Sequence, residues 1–170
     1  MNIQLNTKLI KIMYKENKVV FLTYGDKKFN LQKKHLVNLT KKSNIIDSSF
    51  SMGPKDIDKK FQKKYQDILS NEKGGGFWIW KYYFINKVFN KLDDGDILIY
   101  SDAGSTFNYE SRKKLENYIE SLISSKTGNL RFFSNLPENN WTSKEIFEYF
   151  NISPFSSFGI SGQYIASTIL

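Results

Sequence analysis

Cysteine is absent from the 170 residues, histidine occurs once, at His35, and arginine occurs only at Arg112 and Arg131. Without thiols there is no disulfide framework and no thiolate zinc site, and one histidine cannot build a histidine-rich metal cage. Any metal used must be a hard cation held by oxygen. The scarcity of arginine argues against bidentate reading of bases or phosphates. A formal charge of +8, almost all of it lysine, still keeps a basic nucleic-acid-binding module as the rival class. The lysines run from Lys8 to Lys144 without one dominating cluster, the pattern of a solvated surface. Long apolar runs are also missing. Phe77-Trp78-Ile79-Trp80 and Ile97-Leu98-Ile99-Tyr100 fall far short of the roughly 20 residues of a membrane-spanning helix. The start, Met1-Asn2-Ile3-Gln4, lacks the basic-then-apolar layout of a secretory signal. A cytoplasmic protein without a transmembrane segment is expected.

What is present suffices for a real core: 40% hydrophobic and 16% aromatic residues in a chain the length of one domain, residues 1–170. Lys18 to Gly25 is an apolar run ending in Gly25-Asp26, a buried strand followed by a loop. A helix is expected from Lys28 to Leu39, then a short strand at Ile45-Ile46-Asp47. Ile57, Phe61, Tyr65 and Ile68 recur at helical spacing behind Pro54, and that helix should stop before Gly74. Ile85, Val88, Phe89 and Leu92 mark another helix face, and Asp93-Asp94-Gly95 turns the chain into Asp96-Ile97-Leu98-Ile99-Tyr100, the clearest strand. Leu115, Tyr118, Ile119 and Leu122 give a further amphipathic helix, with Leu130-Arg131-Phe132-Phe133 as a strand behind it. Alternating strands and helices predict an α/β fold, an open, mainly parallel sheet flanked by helices, with ligands at the carboxyl ends of the strands. The apolar ending Ala166 to Leu170 reads as a C-terminally truncated chain.

Two stretches carry chemistry. In Asp96 to Gly104 a strand delivers the carboxylate of Asp102 to its end, and Ala103 and Gly104 leave room for a bulky ligand beside the backbone. A carboxylate there suits a divalent ion bridging a diphosphate. In Gly74-Gly75-Gly76-Phe77-Trp78-Ile79-Trp80-Lys81, the glycines permit close approach, Trp78 and Trp80 offer stacking surfaces, and Lys81 offers a cation. Phe77 and Ile79 fit an aromatic core helix better than a site.

Gly76-Phe77-Trp78-Ile79-Trp80-Lys81, followed by Leu92 to Gly104 and Asn108, resembles the signature of small glycosyltransferases from capsular-polysaccharide loci and large DNA viruses. The resemblance runs from about Val19 to the C-terminus. It implies a GT-A-like (Rossmann-like) nucleotide-diphospho-sugar transferase domain. It also implies transfer of a hexose or pentose from a UDP- or GDP-linked donor to a glycan or glycoprotein acceptor, with Mn2+ or Mg2+ at Asp102. By the same resemblance Thr23, Tyr24, Gly25, Gly76, Trp80, Lys81, Tyr100, Ser101, Ala103 and Gly104 bind the nucleotide sugar. The usual Asp-any-Asp triplet is here Tyr100-Ser101-Asp102, which leaves the ribose contact open and weakens strict metal dependence. A catalytic base would come from the later part of the chain, where Glu138 in its loop is the candidate and Glu145 reads as a solvated helix residue. A relative that binds nucleotide sugars without turning them over is the nearest alternative.

Overall fold

Six consecutive apolar or small residues form β1 (Val19–Tyr24), and all six are buried, as expected for a strand covered on both faces. β1 is the central strand of a parallel trio. It pairs with β2 (Ser48–Met52), Val20 opposite Ser48 and Tyr24 opposite Met52, and with β3 (Ile97–Ser101), Val19 opposite Ile97 and Leu22 opposite Tyr100. Two carboxylates pin the entrance to this trio. Asp47 accepts from Val19 N at 2.7 Å, and Asp96 accepts from Lys18 N at 2.8 Å. The bond from Lys18 N, with a second from Asp93 N, holds the Asp96 carboxyl below the usual carboxylate range.

The computed structural model describes residues 16–170. Lys8 and the Met1-to-Gln4 start, read above for charge and targeting, lie outside the described residues. Two compact units are present among the described residues: 16–130 with Leu170, and 131–169. In the first, α1 (Asn30–Lys42) follows β1, α2 (Lys59–Lys64) and α3 (Gln66–Leu69) follow β2, and α4 (Ile79–Phe89) leads to β3, which α5 (Arg112–Ile123) follows. In the second, β4 (Arg131–Pro137) pairs antiparallel with β5 (Gly162–Ile169), and α6 (Lys144–Tyr149) and α7 (Ser157–Ile160) lie between them in sequence. Parallel pairing therefore belongs to the first unit and antiparallel pairing to the second. Among the described residues no helix is long and apolar enough to cross a membrane.

Several elements differ from expectation. The second strand is Ser48–Met52, not Ile45 to Asp47, because Asn44 turns the chain at φ 53° and Ile45 plugs the core beneath that turn. Its serines, one of which is within 3.1 Å of the Thr40 hydroxyl, gave no apolar signal. The helix expected behind Pro54 is broken at Tyr65. On α4 the buried face is Trp80, Tyr83, Phe84 and Val88, while Phe89 is exposed. Tyr83 fixes that face by donating to Asp58 at 2.8 Å and accepting from Lys87 at 3.0 Å. On α5, Ile119 and Leu122 are buried as the periodicity predicts. Strand β5, in the stretch read as a truncated end, was not expected.

Candidate functional site

The carboxyl ends of β1 and β3 open on a cleft of about 430 Å³ in the first unit. Tyr24 and Gly25 line it at the end of β1, Asp102, Ala103 and Gly104 just after β3, Gly74, Gly75 and Trp78 from the segment before α4, and Trp80 from the first turn of α4. Asp26, Lys28, Phe29 and Glu72 complete the lining. The two stretches singled out in the sequence thus meet at one place.

Their meeting point is an ion pair. Lys81 Nζ, from the first turn of α4, lies 3.0 Å from Asp102 Oδ1, and it also sits 5.0 Å over the Tyr100 ring. The same Asp102 oxygen accepts a short hydrogen bond from the Tyr100 hydroxyl. Tyr100 is almost wholly buried. Burial first, and the bond to Asp102 second, push its phenol far above the ordinary tyrosine range, so it remains a donor at neutral pH. Tyr100 therefore clamps Asp102 from the core, while Lys81 balances its charge at the same oxygen.

The backbone that places Lys81 is unusual. φ is positive at five consecutive residues, Gly74 (61°), Gly75 (58°), Gly76 (96°), Phe77 (49°) and Trp78 (58°), which makes one left-handed turn. Bonds from Phe77 N to Lys73 O (2.8 Å) and from Trp78 N to Gly74 O (3.3 Å) close it. Left-handed turns cost L-residues roughly 1–2 kcal/mol each, so Phe77 and Trp78 are strained while the glycines are not. Gly76 has a second reason to be glycine: a Cβ there would stand 2.8 Å from the Leu69 Cα.

The turn separates the two tryptophans. Trp80 is core: its ring stacks on Tyr24 with centroids 3.8 Å apart, and its Nε1 donates to Gly74 O at 2.9 Å. Its stacking surface is already used. Trp78 is 48% exposed, and Phe77, expected in the core, is 52% exposed because the left-handed backbone turns it outward. The ring under Trp80 belongs to Tyr24, whose phenol is pushed up to about 12 by burial and then by the charges of Asp26 and Asp56.

Of the expected nucleotide-sugar residues, Tyr24, Gly25, Trp80, Ala103 and Gly104 line the cleft, and Lys81 reaches it through Asp102. Thr23, Gly76, Tyr100 and Ser101 are buried and do not line it. The Thr23 hydroxyl is buried without a hydrogen-bond partner among the described residues. Gly25 marks a close approach, since a Cβ there would meet the Phe29 Cβ at 2.6 Å, whereas Gly104 faces open space. Asn108 caps the turn before α5 by accepting from Glu110 N at 3.1 Å. Glu138 belongs to the second unit, where its carboxylate accepts from the Thr142 hydroxyl. Glu145 is there too, in the first turn of α6, with bonds from its own backbone N–H and from Ser143 holding its carboxyl below the usual range.

Asp26, Lys28 and Glu72 are lining residues that sequence reasoning missed. Asp26 had a signal, the strand-ending Gly25-Asp26, whereas Glu72, just ahead of the glycine run, had none. A second hollow, of about 550 Å³, shares Gly25 and Asp26 with the first and is bordered by Lys27, Lys33 and Lys55. Lys33 is buried, donates to Met52 O at 2.9 Å, and is held below the ordinary lysine range by desolvation.

The residues at Asp102 do not fit a resident dication. One of the two Asp102 oxygens, Oδ1, already faces an ammonium 3.0 Å away, and a second cation there would meet like charge. No group of three or more His, Asp or Glu side chains able to hold a metal occurs among the described residues. No family model, curated protein or solved structure matches the chain.

Proposed function

We propose that this chain is a GT-A-like glycosyltransferase that binds a UDP- or GDP-linked sugar in the cleft at the ends of β1 and β3 and passes the sugar to a glycan or glycoprotein hydroxyl. The observation that carries this reading is the Lys81–Asp102–Tyr100 cluster, whose Asp102 lines that cleft. Ligands of open α/β sheets bind outside the carboxyl ends of strands, which is where the cluster lies. When the acceptor hydroxyl oxygen attacks the anomeric carbon, its proton passes to solvent or the departing phosphate, the glycosidic bond to the diphosphate breaks, and negative charge grows on the leaving phosphate. A lysine ammonium fixed beside it offsets that charge, and a preoriented group does so without reorganising during the reaction. Asp102 acts as a positioning residue for Lys81, and Tyr100 holds Asp102. The charge compensation is thus assigned to the chain's own lysine, and no step runs through Mn2+ or Mg2+.

A binding protein without turnover is the second reading, favoured by the engagement of Asp102 Oδ1 by both Lys81 and Tyr100, which leaves that oxygen no free role as a base. Incubation with UDP- and GDP-hexoses and a panel of oligosaccharides, followed by mass spectrometry, separates the two. Transfer should add one sugar mass to an acceptor and fall by roughly 10- to 100-fold in Asp102→Asn, the scale of losing a charge-assisted contact. Tight donor binding with neither transfer nor donor hydrolysis would leave only the second reading.

A further inference from the structure

We propose that Trp78 is the sugar-ring platform of the cleft, with the carboxylates of Glu72 and Asp26 as hydroxyl acceptors around it. This inference rests on the donor reading above and assigns the hexose end of the ligand within the cleft. Backbone strain that persists is most often found where a site requires it. Here the strained residues are two aromatics, Phe77 and Trp78, and the result of the strain is that Trp78 lines the cleft half-exposed while its neighbour Trp80 is buried. A relaxed helix through this stretch would need no run of three glycines. Gly74 serves the platform directly: a Cβ on it would fall within 2.6 Å of the Trp78 ring atom Cε2, so the absence of a side chain lets the indole lie against the backbone. An indole so held offers an apolar plane to the C–H face of a pyranose at little entropic cost.

The charges along the same wall select the ligand. Asp26, Glu72 and Asp102 line the cleft against one lining lysine, Lys28. Ionised carboxylates only accept hydrogen bonds, so they suit hydroxyl groups and repel phosphate. An aromatic plane ringed by acceptors is matched by a polyhydroxylated ring, with the phosphates directed to Lys81 instead.

The test uses the whole chain labelled with 15N, whose three tryptophans are Trp78, Trp80 and Trp141, each indole signal assigned by a Trp→Phe variant. Three ligand sets are titrated: UDP and GDP, UDP- and GDP-hexoses, and free pyranose mono- and disaccharides. Hexose-bearing nucleotides and free pyranosides should move the Trp78 indole signal and leave that of Trp141 in place. Trp78→Ala should bind bare UDP or GDP as the native chain does and lose on the order of tenfold in affinity for the hexose-linked form. If bare UDP or GDP moves the Trp78 signal as far as the hexose-linked form, the ring holds a base and the proposal is overturned. A Trp78 signal unmoved by every sugar also overturns it, and if the Tyr24 and Gly25 amides move meanwhile, the donor reading survives alone. If free pyranosides move Trp78 and no nucleotide moves any signal, the platform stands and the donor reading falls.

Discussion

The two compact units use their apolar residues in opposite ways. Every residue of β1 and β3 is buried, whereas no residue of β4 or β5 is, and the second unit exposes Trp141, Tyr149 and Phe155 at 65%, 83% and 82%. Cooperative stability should therefore reside in the first unit, where the cleft is also built. A site held by buried strands keeps its geometry better than one on a shallow hairpin. The difference shows why the ends of β1 and β3, and not the more aromatic-rich second unit, carry the candidate chemistry.

The largest expected contrast comes from truncating a phenylalanine in each unit. Phe84 is 0% exposed and packs against Tyr24 and Tyr83, so Phe84→Ala should cost about 3–5 kcal/mol, while Phe155→Ala should stay within about 0.5 kcal/mol. Urea unfolding of both variants measures this, and equal losses would erase the distinction between the units.

A smaller effect sharpens it. Gly76→Ala adds a clash with the Leu69 backbone to a φ of 96°, and should lower global stability by about 1–3 kcal/mol. In Gly162→Ala the new Cβ strikes the Ser134 carbonyl, within the second unit only. It should open the β4–β5 pairing locally, seen as faster amide exchange there, with a smaller shift of the urea midpoint than Gly76→Ala. A reversed order would contradict the assignment of stability to the first unit.

The smallest expected effect is acid sensitivity. Asp96 is held below its ordinary range chiefly by the Lys18 backbone N–H, and Asp58 by the Phe61 N–H and the Tyr83 hydroxyl. A depressed folded pKa gives stability that is complete above the unfolded value and lost as pH falls through the folded one, so the loss should begin below about pH 4. Asp96→Asn should be less stable at pH 7 and show a flatter acid limb. An unchanged limb would remove Asp96 from the account.

Much of the first unit was legible because burial on both faces writes strands as unbroken apolar runs, as in Val19 to Tyr24 and Ile97 to Tyr100. β2 was misplaced by a few residues because Ser48, Ser49 and Ser51 pack without being apolar. In the site, Asp102, Lys81 and the glycine run were readable as residue types, and the chain brings them together. The division between Trp78 and Trp80 was not readable. It depends on a left-handed turn through Phe77 and Trp78, residues whose own preferences oppose that conformation. Nor could the sequence say that Tyr100 would face inward and bind Asp102 rather than a ligand.

The most direct test of the account is calorimetric titration of UDP- and GDP-hexoses into the native chain and Lys81→Met, each in EDTA and in Mn2+. Lys81 is the cation assigned to the diphosphate, and its loss from a partly exposed pair should leave the urea midpoint nearly unchanged. One donor should bind the native chain equally well in EDTA and in Mn2+, and bind Lys81→Met roughly 10- to 100-fold more weakly in both. Binding that requires Mn2+ and is indifferent to Lys81→Met would contradict it.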